Sequence, residues 1–192
     1  YRLLLIILST FLLSASETGS VFEYGNSAKE VALGGASVSL PIMGFNALNN
    51  PAFLAEIIDI EYGLSYFSMS QERSLNIFSY SRKISPNAGI GLSLFMASVD
   101  GIEQTNIDND IIGNLDYLEG FGSMSFAVSL GKFASGANLK IFQNSLHNIK
   151  VQAVGLDLGL NYRFSEKINL SFTSKNIGAE YKWSSTYSEK LK

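Results

Sequence analysis

The feature that most constrains this chain is a strict alternation of apolar with small or polar side chains. From Ala153 to Phe164 the even positions are Val154, Leu156, Leu158, Leu160, Tyr162 and Phe164. The odd positions are Ala153, Gly155, Asp157, Gly159, Asn161 and Arg163. Met124, Phe126, Val128 and Leu130 alternate in the same way with Ser123, Ser125, Ala127 and Ser129. Ile90, Leu92, Leu94 and Met96 alternate with Gly89, Gly91, Ser93, Phe95 and Ala97, and Ile168, Leu170 and Phe172 with Asn169, Ser171 and Thr173. A period of two is a strand with one apolar and one polar face, and no convincing 3.6-residue stripe follows residue 57. Weaker alternation over Ile60–Ser70, Leu75–Ile84 and Ala137–Asn144 brings the predicted strands to seven, and Tyr181–Tyr187 offers an eighth.

Strands in soluble proteins typically run about 5–6 residues, whereas about 9–11 tilted residues cross an outer membrane. The clearest alternating segments here have the second length. Only 16% of residues are charged although 46% are hydrophobic, and Gly, Ser and Asn stand where a soluble sandwich would carry Lys, Glu and Thr. The expected fold class is therefore all-β: a transmembrane outer-membrane antiparallel β-barrel. Such a sheet closes on itself because lipid offers its backbone no hydrogen bonds. A soluble β-sandwich or a secreted adhesin shares the alternation and is the competing reading. Tight turns are predicted at Ser85–Pro86 and Ser165–Glu166. Residues 98–119, with Asp100, Glu103, Asp108, Asp110, Asp116 and Glu119, are expected to form a long acidic loop outside the cell.

A net charge of −3 with no basic block excludes a nucleic-acid footprint. With no Cys there is no disulfide framework, thiolate metal site or cysteine nucleophile. The one histidine, His147, has no visible triad or ligand partners, and Asp108-Asn109-Asp110 lacks the spacing and central glycine of a calcium loop. The chain is expected to be non-enzymatic, without metal or cofactor. Leu3–Leu13 is too short to span a bilayer and reads as a signal-peptide core, followed by the small residues Ser14, Ala15 and Ser16. The expected division is a signal peptide over 1–16, its start truncated, an N-terminal plug over 17–57, and barrel strands over 58–192. The end at Glu189-Lys190-Leu191-Lys192 lacks a closing aromatic strand, so an incomplete barrel is expected.

Lys140, Asp157, Arg163 and Lys175 all fall on polar strand faces. A turn near Asn148–Ile149 would set 140 opposite 157, which predicts a Lys140–Asp157 pair inside the barrel, structural or gating in role. Phe67, Phe78, Phe95 and Phe142 are expected to turn partly inward.

Over residues 27–57 the period of two lapses. Gly34-Gly35 permits close backbone approach and unusual dihedrals, and Asn50 before Pro51 is held extended. The run Leu33-Gly34-Gly35-Ala36, then Ala47-Leu48, then Asn50-Pro51-Ala52 and Leu54-Ala55, resembles the opening signature of PorV/PorQ-type and FadL-type outer-membrane proteins. Two departures are Phe53, where the family has glycine, and Pro41-Ile42-Met43-Gly44, where it has an acidic pair. Further along, Gly136–Lys140, Val154–Arg163 and Ser174–Gly178 are similar to later motifs of that family in the same order. The resemblance implies a barrel of about fourteen strands, of which this chain would hold the first half, with Gly34, Gly35, Asn50, Pro51 and Ala52 in a plug or hatch. A simple periplasmic leader into the first strand is the plainer alternative. It further implies a protein that assists type IX secretion by binding secreted cargo and other secretion-system components at its extracellular face. A FadL-like channel for a hydrophobic small molecule is the second expectation, and a structural barrel or adhesin the third. Outer-membrane lipid is the expected surroundings in each case.

Overall fold

The computed structural model describes residues 18–146, 149–165, 168–183 and 187–191. The segment 1–16 expected to be a signal peptide, His147 and Glu166 lie outside the described residues. Seven strands form one antiparallel meander in chain order: β1 (Ile60–Met69), β2 (Arg73–Ser85), β3 (Ala88–Thr105), β4 (Ile111–Leu130), β5 (Phe133–Leu146), β6 (Ile149–Ser165) and β7 (Ile168–Ile177). β1 and β7 are the two edges of this sheet and do not pair with each other. The expected eighth strand is instead half of a separate hairpin, in which β8 (Glu180–Lys182) pairs with β9 (Ser188–Lys190).

The acidic segment 98–119 is not a loop. β3 and β4 continue through it, with Val99 opposite Tyr117, Ile102 opposite Leu115 and Glu103 opposite Asn114. Only 106–110 turns, where Asn106 Oδ1 accepts from the Asp108 and Asp110 amides at 2.9 Å each. The depletion of Asp, Asn and Gly in strands reflects packing against a half-buried surface. A ribbon wet on both faces escapes that penalty, so composition misled.

The sheet is inverted with respect to an ordinary core. On β3, Gly89, Gly91, Ser93, Phe95 and Ala97 are buried while Ile90, Leu92, Leu94 and Met96 are exposed. On β6, Ala153, Gly155, Asp157, Gly159 and Asn161 are buried while Val154, Leu158, Leu160 and Tyr162 are exposed. What covers the small, polar face is the chain's own N-terminal segment. It comprises short turns at Ser20–Glu23 and Pro51–Glu56 and helices at Ala28–Ala32 and Asn46–Asn49. The 6-residue Pro51–Glu56 turn touches β2, β3, β4, β5 and β6. Five adjacent strands laid flat would span about 19 Å, against about 12 Å for such a turn. The sheet therefore curves around it.

Close approach explains the wall glycines. A side chain on Gly89 would collide with the Leu54 carbonyl, on Gly63 with the Gly44 carbonyl, and on Gly159 with Asn50 and Pro51. A Cβ on Gly136 would lie 2.5 Å from the Pro51 carbonyl carbon. The Gly136→Val variant should lose roughly 1–3 kcal/mol through overpacking and leave residues 18–57 open to protease. Gly122→Val, at an outward position with nothing within 4 Å of its would-be Cβ, should leave the cleavage rate unchanged. Equal protection of the 18–57 segment in both variants would contradict this packing.

Candidate functional site

The candidate site is the interface between the N-terminal segment and the curved wall. Three buried asparagines organise it. Asn50 is extended, as its proline neighbour requires, at φ −145 and ψ 107. Its Oδ1 accepts from the Ala52 amide at 3.1 Å and caps the Pro51–Glu56 turn, while its Nδ2 donates to the Val38 and Leu160 carbonyls at 3.0 and 3.4 Å. One side chain thus ties two parts of the N-terminal segment to β6. Asn49 donates to the Ser37 and Leu40 carbonyls at 2.8 and 3.2 Å and accepts from the Ser37 hydroxyl at 2.9 Å. Asn46 accepts from the Ile42 amide and donates to Glu61 on β1, which also accepts from the Gly44 amide. Pro51 and Ala52 are buried beneath this network. Gly34 and Gly35 take positive φ values of 60 and 78, but a Cβ on either would meet nothing within 4 Å. They turn the chain and make no close approach, contrary to one half of the expectation.

The four predicted charges separate. Lys140 and Asp157 both face inward, and Lys140 Nζ lies 2.7 Å from Asp157 Oδ2 with both side chains almost wholly buried. They are diagonal rather than opposite: Lys140 pairs across the ladder with Gly155, and Asp157 with Asn138. The connection is centred one residue earlier than expected, and a long lysine spans the diagonal. Asp157 also accepts from Asn138 Nδ2 at 3.2 Å and from the Asn176 amide at 2.8 Å, and Lys140 donates to Asn176 Oδ1 at 3.1 Å. Together these hold Asn176 at φ 56, on the bulge where β7 slips register against β6. Arg163 instead pairs with Glu56 of the N-terminal segment at 2.7 Å, and Asn161 donates to the same carboxylate at 2.9 Å. Lys175 is exposed on the bulge and forms no ion pair among the described residues.

An aromatic cluster lies above this knot. Phe22 of the N-terminal segment sits 5.2 Å from the rings of Phe95 and Phe121 and 5.4 Å from that of Phe142, and Lys140 Nζ lies 4.6 Å from the Phe121 centroid. Phe95 and Phe142 therefore face inward, whereas Phe67 is half-buried and Phe78 points outward at 44% exposure. On β2 the buried row is Leu75, Ile77, Ser79 and Ser81, and Phe78 falls on the other face, opposite the exposed Leu64 and Leu94. Sequence reasoning gave no role to Phe22, Asn46, Asn49 or Glu61, and set the inward glycines on the small face without a contact to explain them. The signal available was Ser27-Ala28-Lys29-Glu30, a capping-box spacing that marks the helix start.

The β8–β9 hairpin closes the far end. Glu189 accepts from the Thr18 hydroxyl at 2.9 Å and from Trp183 Nε1 at 3.1 Å, and also from the Tyr187 hydroxyl. No family model matches the chain, and no curated protein is significantly similar to it.

Two predictions follow from these contacts. Lys140→Met strands a buried carboxylate and should cost roughly 3–5 kcal/mol in denaturant unfolding, whereas Lys140→Met with Asp157→Asn should recover about half of that loss. A double variant no better than the single one would show that the two charges do not act as a pair. The hydrogen bond from Tyr187 first, then that from Thr18, hold the Glu189 carboxyl below its usual range. Its folded value lies below the unfolded one, so its contribution is complete above the ordinary carboxylate range and is lost as pH falls through the lowered value. Fluorescence of Trp183, the single tryptophan, should change over that acid interval and stay flat in Glu189→Gln.

Proposed function

We propose that this sheet is part of the wall of an outer-membrane β-barrel with residues 18–57 as its internal plug. The observation that carries the reading is the inversion of the sheet, with apolar rows turned away from the protein and a small polar face turned onto its own chain. The outward row Val154–Phe164 is about 34 Å long at strand rise, close to 25 Å of height at a tilt near 45°, the height of a lipid-facing band. Tyr62 and Tyr80, with ring centroids 5.4 Å apart and planes tilted by 49°, and the cross-strand pair Phe133 and Tyr162 lie toward the short-turn end of the sheet, where an aromatic girdle would sit. Further strands would join β1 and β7 and close the sheet, since lipid tolerates no open edge.

Within that frame the chain serves as a non-enzymatic, PorV/PorQ-type docking protein for type IX secretion. The motif resemblance at Gly34-Gly35 and Asn50-Pro51-Ala52 supports this, as does the long β3–β4 hairpin, which gives cargo a surface to grip. A FadL-like channel for hydrophobic molecules has one observation in its favour, the inward cluster of Phe22, Phe95, Phe121 and Phe142. Against it, the face behind the plug is mostly Gly, Ser and Asn.

The membrane reading is tested by Leu158→Arg, which should cost about 2–4 kcal/mol at mid-bilayer and abolish the heat-modifiable band of the outer-membrane fraction. A wild-type chain recovered in the soluble fraction would end it. Shortening 106–110 to a two-residue turn should preserve that band while stopping surface delivery of exported proteins. Undiminished delivery would end the secretion reading and leave the barrel standing.

A further inference from the structure

A second concave site lies at the long-hairpin end, away from the Asn50 seat. A cavity of about 650 Å3 opens between Thr18–Val21, the β8–β9 hairpin and the inner faces of β2 to β5. That is within the usual range for a small-molecule site. Leu75, Ala97 and Val99 give it an apolar wall, while Glu119, Asn144 and Trp183 line the rest.

The polar groups here form a chain that runs one way. Asn144 Nδ2 donates to the Tyr117 hydroxyl at 2.9 Å, and that hydroxyl donates to Glu119 Oε2 at 2.8 Å. This chain uses the Asn144 and Tyr117 donors and leaves an acceptor unmet at each end. Glu119 is 4% exposed and Asn144 5% exposed. Glu119 Oε1 and Asn144 Oδ1 are both buried without a hydrogen-bond partner. The Tyr181 hydroxyl lies near the same carboxylate but completes no hydrogen bond to it. A buried acceptor left unmet costs about 1–3 kcal/mol, and more when charged. Both residues line the cavity, so a donor inside it can meet these oxygens once their end groups turn. The terminal torsions of Glu and Asn are broad, so either oxygen turns to the cavity without leaving its rotamer well.

The surroundings choose the kind of donor. Arg73 lines the rim, but its guanidinium bonds back to the Ser70 carbonyl and hydroxyl at 3.0 and 3.4 Å. Glu189 stands on the opposite rim, so carboxylates prevail. Among the described residues no three His, Cys, Asp or Glu side chains converge on one point, which leaves a hard divalent ion without its oxygen set. Trp183 and Tyr117 offer aromatic faces, which favour an organic cation. A primary ammonium has three N–H donors, enough for both acceptors, and its stem can lie along Leu75, Ala97 and Val99. We propose that this cavity binds a small primary ammonium ion on an apolar stem, with Glu119 and Asn144 as its acceptors. The site rests on local geometry and is independent of the secretion reading.

Trp183 lines the cavity and reports occupancy by its fluorescence. The full chain, purified in detergent, is titrated with n-butylammonium and, in parallel, with n-butanol, which has the same stem without the charge. Saturable binding of butylammonium is expected, with butanol weaker by at least about tenfold. Glu119→Gln should weaken butylammonium by at least about tenfold and leave butanol unchanged. The wild-type comparison needs no variant and so survives a Glu119→Gln chain that fails to fold. Equal binding of the alcohol, no saturable response, or butylammonium binding unaffected in a folded Glu119→Gln chain would each overturn the proposal.

Discussion

Everything in this molecule depends on backbone-to-backbone contact between the N-terminal segment and the inner face of the sheet. Gly63, Gly89 and Gly136 leave no side chain between the sheet and the carbonyls of Gly44, Leu54 and Pro51, and Gly159 makes room for the Asn50 side chain and the Pro51 ring. At that distance peptide groups must find partners in each other or in short side chains, because water is shut out. Asn46, Asn49 and Asn50 meet that demand: each is a donor and an acceptor on a stem short enough to fit. The glycines make room, and the asparagines satisfy what the room exposes. Curvature follows, since five strands must bend to touch one short turn.

The buried Lys140–Asp157 pair acts on the chain path beyond the sheet. Desolvating two charges is expensive, and the pair is worth keeping only if every remaining lone pair and proton is met. Asp157 achieves this by accepting from the Asn176 amide, and Lys140 by donating to the Asn176 side chain. Asn176 and Gly178 then take positive φ, at 56 and 76, and turn the chain off the sheet toward β8. Tyr181 is fully buried as a result, and the hairpin reaches Thr18 at the other end of the described chain. The charge pair thus fixes where the last hairpin lies.

Much of the sheet was legible because a period of two leaves little freedom. Val154 to Phe164 cannot shift by one residue without moving Asp157 and Asn161 to the apolar side, so strand and facing were both readable. The register of Lys140 was not, because it depends on where β5 gives way to β6 and no local residue announces that point. The 98–119 hairpin was missed for a related reason: its pairing is decided by the ladder above the sheet, while its composition is that of a loop. The N-terminal helices were invisible to periodicity. At 4 to 6 residues each, Ala28–Ala32, Asn46–Asn49 and Pro51–Glu56 are too short to display a stripe, and tertiary contacts stabilise them. Asn50 and Pro51 stood out through local backbone rules, but their partner Leu160 lies 110 residues away.

The small polar inner face had two physical explanations at the level of sequence, namely crowding of opposite walls or trapped water. The structure supplies a third. The face is small because a folded segment occupies the space, and polar because that segment presents turns and asparagine side chains. This changes how substitutions on it should be read. An outward position such as Met124 answers to whatever surrounds the protein, and tolerates any residue that suits those surroundings. An inward position such as Gly136 answers to one particular carbonyl, and tolerates only what leaves that carbonyl in place. Two residues on the same strand pair thus obey different rules, and the alternation is the visible trace of both.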